Sequence, residues 1–231
     1  PELLPWELGR EFIAGFEKSV NFIAENLTPV TVEWGVAEEN RITYNRKGRR
    51  IDGSTYFMRE EDRLDIAGKG YHGLIDPDAV VVVFKNYDGK PIAALTFFTG
   101  HPVAAYNPEK MISYGQFPQA ASEKLSEYLG GVPVGFVQGC AGNINAKHML
   151  TGTVEEAKQL GDYLGDTFIA AAKSLRPSKR NGLEWTREKV DIPFARLPAE
   201  SELQKDLESI DDFIRRGNAG DENTLVCVGM N

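Results

Sequence analysis

The sequence predicts an α/β fold, with a mixed sheet and a βαβ unit flanked by helices. Three observations carry this. First, Val80-Val-Val-Val-Phe84 and the apolar run at 92–98 are joined by Asp88-Gly89, a hairpin signal. Second, the segment 118–129 places Ala121, Leu125 and Leu129 on one helical face. Third, Gly130-Gly131 stops that helix, and a further short apolar run follows at 132–137. Strand 92–98, helix 118–129 and strand 132–137 make a βαβ crossover, whose two strands are parallel when they share a sheet.

The remaining elements follow in order. Residues 7–26 carry Leu8, Phe12, Phe16, Val20 and Ile23 at spacings of three and four, which predicts an amphipathic helix ended by Pro29. Residues 30–34 alternate like a strand, and 35–50 are polar and basic with two Asn-Arg pairs, Asn40-Arg41 and Asn45-Arg46. Residues 51–76 read as a long loop, a length that often serves function. Val80 to Phe84 is apolar on both faces, as in a strand covered on two sides. Thr153, followed by Glu155 and Glu156, opens a helix predicted to reach residue 175, with Leu160, Leu164, Phe168 and Ala172 in one row. Residues 183–192 alternate like a strand. Residues 198–216 predict a charged amphipathic helix with Leu203, Leu207, Ile210 and Ile214 inside.

No internal repeat, low-complexity tract or linker divides the chain, so residues 1–231 read as a single α/β domain. It opens at Pro1 and closes on the apolar Cys227-Val-Gly-Met-Asn231. The expectation is a fragment of a longer chain, with a processed N-terminus as the alternative. The mix of 42% hydrophobic and 26% charged residues is that of a globular protein able to bury a core. With 34 acidic and 26 basic residues, the net charge of −8 argues against a nucleic-acid partner. No apolar run approaches the roughly 18 residues of a transmembrane helix. Cys140 and Cys227 are too few for a disulfide framework and lack metal-knuckle spacing.

The chemistry gathers around 135–148, Gly-Phe-Val-Gln-Gly-Cys-Ala-Gly-Asn-Ile-Asn-Ala-Lys-His. An apolar strand runs into a Gly-rich turn bearing Gln138, Asn143, Asn145 and His148. The competing reading is a plain strand-to-helix turn with solvent-facing polar residues. His101, in Gly-His-Pro, terminates the strand at 92–98, so its carboxyl end lies at the same sheet edge as Gln138. Open α/β sheets bind ligands at that edge. His101 is therefore expected near Asn143 and Asn145, with His148 a further candidate neighbour. An imidazole there suits a metal, and the alternative is a histidine hydrogen-bonded at a strand end. His148 and His72 read as loop residues. One histidine is not a metal site, since catalytic zinc usually takes three protein ligands. Ser113 lacks a nucleophile elbow, and Cys140 reads as a small buried residue.

The motifs in series resemble a known family. Asn45-Arg46, Gly73-Leu-Ile-Asp-Pro77, Asp88-Gly-Lys-Pro-Ile92, Phe98-Thr-Gly-His-Pro102, Ile112-Ser113 and Phe136-Val-Gln-Gly-Cys-Ala-Gly-Asn-Ile-Asn145 resemble, in order, the catalytic domain of neutral (non-lysosomal) ceramidases and their bacterial relatives. The resemblance spans roughly residues 8–195. It implies a zinc-dependent hydrolase of an amide bond in a small-molecule or lipid-like N-acyl substrate, and a secreted or periplasmic location. It assigns His101 as a metal ligand, Arg46 (or Arg41) as the site arginine, and Asn143, Ile144 and Asn145 as the loop lining the pocket. It places further zinc ligands in a His-x-His before Pro1 and in a Glu and a Tyr after Asn231. Two departures stand out: Asn145-Ala146 replaces the family's Ser-Pro, and Tyr114-Gly115 stands where many relatives carry an acidic residue. They admit an inactive binding protein, or a hydrolase of a non-lipid amide or ester, as alternatives.

Overall fold

The computed structural model describes residues 6–49, 55–57, 73–106, 113–150, 152–179, 182, 184–194 and 196–220. Within Pro1–Asn181 the order is α1 (Trp6–Glu25), β1 (Thr31–Glu38), β2 (Thr43–Asn45), β3 (Lys47–Arg49), β4 (Thr55–Phe57), β5 (Asp78–Lys85), β6 (Pro91–Phe98), α2 (Gln116–Tyr128), β7 (Val134–Gln138), β8 (Ile144–Ala146), α3 (Val154–Ala172) and β9 (Arg176–Pro177). Within Gly182–Asn231 the described element is α4 (Glu200–Asn218).

The main sheet has the order β7-β6-β5-β1-β9 and is mixed. β5 and β6 form the expected antiparallel hairpin, closed by the Asn86 amide donating to the Lys90 carbonyl at 2.9 Å. The Asn86 side-chain oxygen accepts from the amides of Asp88 and Lys90, which fixes the turn locally. β6 and β7 run parallel, Ala94 opposite Val134 through Phe98 opposite Gln138, so α2 is the crossover of a βαβ unit. Gly130 and Gly131 end α2 at φ of 90° and 84°, a left-handed stop that a glycine adopts without steric cost.

Strand alternation decides where the core sits. Ala79, Val81 and Val83 of β5, with Ala94 and Phe98 of β6, face the α2–α3 layer and are buried. α3 answers with Leu160, Leu164 and Phe168, an i,i+4 row. Burying each such side chain contributes about 1.5–3 kcal/mol. α3 starts on a capping box: the Glu156 amide donates to Thr153 Oγ1 at 3.2 Å, and the Thr153 amide donates back to the Glu156 carboxylate at 2.7 Å. These bonds hold the Glu156 carboxyl below its ordinary value.

The opposite face of the sheet is less covered than the apolar run of β5 predicts. Val80 and Val82 are half-buried, and Trp34 and Val36 on β1 are 42% and 41% exposed. The stripe of α1 is real, yet Phe12, Phe16, Val20 and Ile23 are exposed, as is Trp6. Leu8 lies outside the residues whose side chains are described.

Two expectations fail in the second unit. Residues 184–192 carry no strand, and Trp185, Val190 and Ile192 are exposed. Alternation makes a strand only where a neighbouring strand accepts its hydrogen bonds. α4 forms as predicted, but Leu203, Leu207, Ile210 and Ile214 are all exposed rather than inside.

Candidate functional site

Beyond Phe98 the chain leaves the main sheet and enters a second, smaller set of pairings. β8 pairs antiparallel with β2, Tyr44 opposite Asn145. On its other side β8 meets His101 in a parallel bridge centred on Asn145. The His101 amide donates to the Ile144 carbonyl at 2.9 Å, and the Ala146 amide donates to the His101 carbonyl at 3.3 Å. The expected proximity of His101 and Asn145 is therefore observed, and it rests on backbone bonds.

Arg46 continues the same construction. Its amide donates to the Asn143 carbonyl at 2.8 Å and its guanidinium to the Gly142 carbonyl at 2.7 Å. Its guanidinium also stacks 5.6 Å from the Phe57 ring. Arg46, Asn143 and His101 are partly exposed, whereas Asn145 is wholly buried. The Asn145 amide nitrogen donates to the Met149 sulfur, and its Oδ1 has no hydrogen-bond partner among the described residues. The other candidate arginine, Arg41, is engaged elsewhere. It binds the carboxylate of the buried Glu39 and lies 4.9 Å from the Tyr163 ring. Burial alone would raise the Glu39 carboxyl. Hydrogen bonds from the Arg41 side chain and backbone and from Thr167 outweigh it and hold the group below its ordinary value.

Two glycines make the close approach possible. A Cβ on Gly139 would fall 2.1 Å from Thr99 Oγ1, and one on Gly100 would fall 2.6 Å from Thr43 Cγ2. The Gly139 amide donates to Phe98, carrying the β6–β7 pairing to the turn. Thr99 Oγ1 in turn bonds Asp76 at 3.3 Å, and the Asn45 side chain donates to the Leu74 carbonyl at 2.7 Å. Segments near 45, 74–76, 99–101 and 142–145 thus converge at one end of the sheet, while the Asp88-Gly89 turn caps the other.

Past His101 the chain stays beside the 144–152 segment. The Leu150 amide donates to Val103, and Gly152 bridges Ala105. Gln116 clamps this stretch, accepting from the Ala105 amide at 2.8 Å and donating to its carbonyl at 3.0 Å. It does so from a φ of 57°, a strained backbone for a non-glycine residue. Neither this clamp nor the Glu39–Arg41–Thr167 cluster was legible in the sequence. The positive φ at Gln116 leaves no mark in residue type, and Glu39-x-Arg41 looks like any exposed ion pair.

His148 sits beside Gly152 and lowers the Glu156 carboxyl further. Cys140 is exposed, contrary to the small buried residue expected, because the turn after β7 faces solvent. Ser113 is exposed too. His72 and Ile112 lie outside the described residues. Tyr114 is held as a neutral phenol: burial, then the carboxylates of Glu123, Asp162 and Glu155, push it up.

Among the described residues no three His, Cys, Asp or Glu side chains come together. His101 is thus not joined by a second or third such side chain among the described residues. The described residues therefore do not by themselves form a catalytic zinc site. No described helix is long and apolar enough to cross a membrane.

No protein-family model matches the chain, and no curated protein matches it. Among solved structures it is similar to the neutral ceramidase from Pseudomonas aeruginosa, with 16% identity and a TM-score of 0.50, over 68% of this chain and 24% of that one. A ceramidase complexed with C2 aligns at 19% identity and a TM-score of 0.48, over 65% of this chain and 23% of that one. The chain thus spans about a quarter of the length of the structures it matches. Over two thirds of its own length, its fold is ceramidase-like.

Proposed function

We propose that the chain forms one wall of the active site of a ceramidase-related amidohydrolase, with an N-acyl compound, in the first instance a sphingolipid, as substrate. The observation that carries this is the His101–Asn145 bridge at the carboxyl ends of β6 and β7, where α/β sheets bind ligands. In this reading His101 is one ligand of a zinc ion, and the remaining ligands come from outside the described residues. Asn143 and the neighbouring turn face the scissile amide. Arg46 holds that turn through the Gly142 and Asn143 carbonyls. Asn145 is a positioning residue: buried on β8, its side-chain amide donates to Met149 and supports the 145–149 turn beside His101.

A second reading has a specific observation behind it. Asn145 stands where the resemblance puts the serine of the family's Ser-Pro pair, a hydroxyl that asparagine cannot replace as a nucleophile, and it is sealed from solvent. That favours a protein that binds the N-acyl compound without cleaving it.

A panel of N-acylsphingosine, an N-acyl amino acid and a simple ester, assayed with zinc present, separates these readings. Amide cleavage supports the hydrolase. Binding without turnover supports the second reading, and neither outcome on any substrate sinks both. Zinc stoichiometry of the protein and of His101→Ala tests the ligand role. Unchanged stoichiometry in the variant rejects it.

A further inference from the structure

A groove of about 840 Å³ lies along α2 beside β7, and no residue of the His101 site lines it. β7 is the terminal strand of the main sheet among the described residues. The Pro133 carbonyl accepts from Ala94 and the Gly139 amide donates to Phe98, so odd-numbered residues of this stretch bond β6. Alternation then turns the amides and carbonyls of Val134, Phe136 and Gln138 toward the open edge. An open edge of this kind is a template for one more strand.

The groove supplies what such a strand would meet. Its floor is Val134 and Phe136, with Phe136 held edge-on to Phe117 at 6.2 Å, and Pro118 completes the apolar part. Ser122 contributes a buried hydroxyl with no hydrogen-bond partner. Glu123 and Glu127 rim it one helical turn apart. The neighbouring cation, Lys124, is turned away to α3, where it meets Asp166 at 2.7 Å and the Asp162 carbonyl at 3.1 Å. The rim of the groove is therefore negative. Residues four apart on a helix are separated by about 6 Å along its axis. Alternate residues of a strand are about 6.7 Å apart. Two alternate cationic side chains on an added strand thus match the two carboxylates. Their stems would lie on Val134 and Phe136, since lysine and arginine bury their methylenes while the charge stays outside. The residues between them would cover Val137, which is 37% exposed on the other face of the sheet.

The geometry points to the β7–α2 groove as a β-augmentation site for an extended peptide in which lysine or arginine alternates with apolar residues. This inference does not depend on the proposed hydrolase activity.

The test uses the full chain and the peptide acetyl-(Lys-Val)4-amide. Hydrogen exchange read by NMR should show the amides of Val134, Phe136 and Gln138 protected at least tenfold more with peptide than without. The same peptide N-methylated at every residue, which cannot donate to the edge, should bind at least tenfold more weakly. The double variant E123K/E127K, checked for retained helix content by circular dichroism, should lose at least tenfold affinity for this peptide and gain affinity for acetyl-(Glu-Val)4-amide. Absence of binding overturns the inference, as does equal binding of the N-methylated peptide, which would leave only charge attraction. Protection of the three amides that rises with protein concentration and no peptide also overturns it, because the edge would then be occupied by a second copy of the chain.

Discussion

His101 and Asn145 lie opposite each other across a parallel bridge whose two hydrogen bonds are both made by backbone, from the His101 amide to Ile144 and from the Ala146 amide to the His101 carbonyl. The placement of His101 is therefore independent of its own side chain. His101→Ala is expected to keep the bridge and unfold within about 1 kcal/mol of the parent, as substitutions outside the core usually do; on the proposed reading it also loses zinc and turnover. A thermal melt beside a metal assay reads the two effects separately.

Asn145 makes the opposite case. Its Oδ1 is buried without a partner, and such an atom costs stability rather than adding it. Asn145→Leu, similar in volume and free of the orphaned oxygen, should change stability by no more than about 1 kcal/mol; on the proposed positioning role, turnover then falls at least tenfold. A loss above about 3 kcal/mol in chemical denaturation, the scale of a broken buried network, would mean the amide is held in place for the fold.

Gly100 sets the distance between β2 and the His101 turn. An added methyl would meet Thr43 Cγ2 at 2.6 Å and Phe117 at 3.5 Å. Gly100→Ala should cost about 1–3 kcal/mol by overpacking. Thr43→Ser removes the offending methyl, so the double variant should recover most of the loss. Strict additivity in the double-mutant cycle would show the clash is not with Thr43.

The Glu39 carboxyl is held low by Arg41 and Thr167, so its contribution has a definite sign in pH. A depressed carboxyl stabilises the fold above its unfolded value of about 4.3, and that stabilisation is lost as pH falls through the lower folded value. The stability gap between the parent and Glu39→Gln should shrink between about pH 5 and pH 2. Arg41→Ala, which strips partners from a buried carboxylate, should cost about 1–3 kcal/mol at neutral pH. It should also move the acid transition to higher pH. An unmoved transition in Arg41→Ala would assign the low carboxyl to Thr167 alone.

Gln116 trades backbone strain for two bonds to Ala105. Gln116→Ala keeps the strain and loses the bonds. Gln116→Gly loses the bonds but relieves the strain, and should be the milder change by about 1 kcal/mol. The reverse order, measured by equilibrium unfolding, would place the side-chain packing above the backbone in importance.

How much of this was legible in the sequence depends on the range of the interaction. The β5–β6 hairpin, the α2 crossover and the Thr153 cap are written in residues less than about 40 positions apart, with glycines and turn residues at the joints. The main sheet edge and the His101–Asn145 contact follow from that local pattern and a rule of chirality. Ile144-Asn145-Ala146 is different. It reads as polar loop, and it is a strand only because Thr43–Asn45 returns to it from a distant part of the chain. Three-residue strands carry too little periodicity to announce themselves. At 184–192 the error runs the other way, since alternation is present in the sequence and no strand pairs with it among the described residues. The arginine question shows the same limit. Arg41 and Arg46 sit in similar Asn-Arg pairs, and only the fold sends one to Glu39 and the other to the Gly142 carbonyl.

The apolar faces left open have a spectroscopic consequence. The chain has three tryptophans, Trp6, Trp34 and Trp185, and they are 75%, 42% and 79% exposed. Among the described residues the buried aromatic side chains of the core are Tyr44, Phe98, Phe117 and Phe168. Indole emission is therefore already that of a largely hydrated ring in the folded state, and it will shift little when the core melts. Collapse of the α2–α3 layer will be visible in the near-ultraviolet dichroism of phenylalanine and tyrosine instead. Conversely, a blue shift of the Trp34 emission in the folded protein would mark the moment when something covers the second face of the sheet.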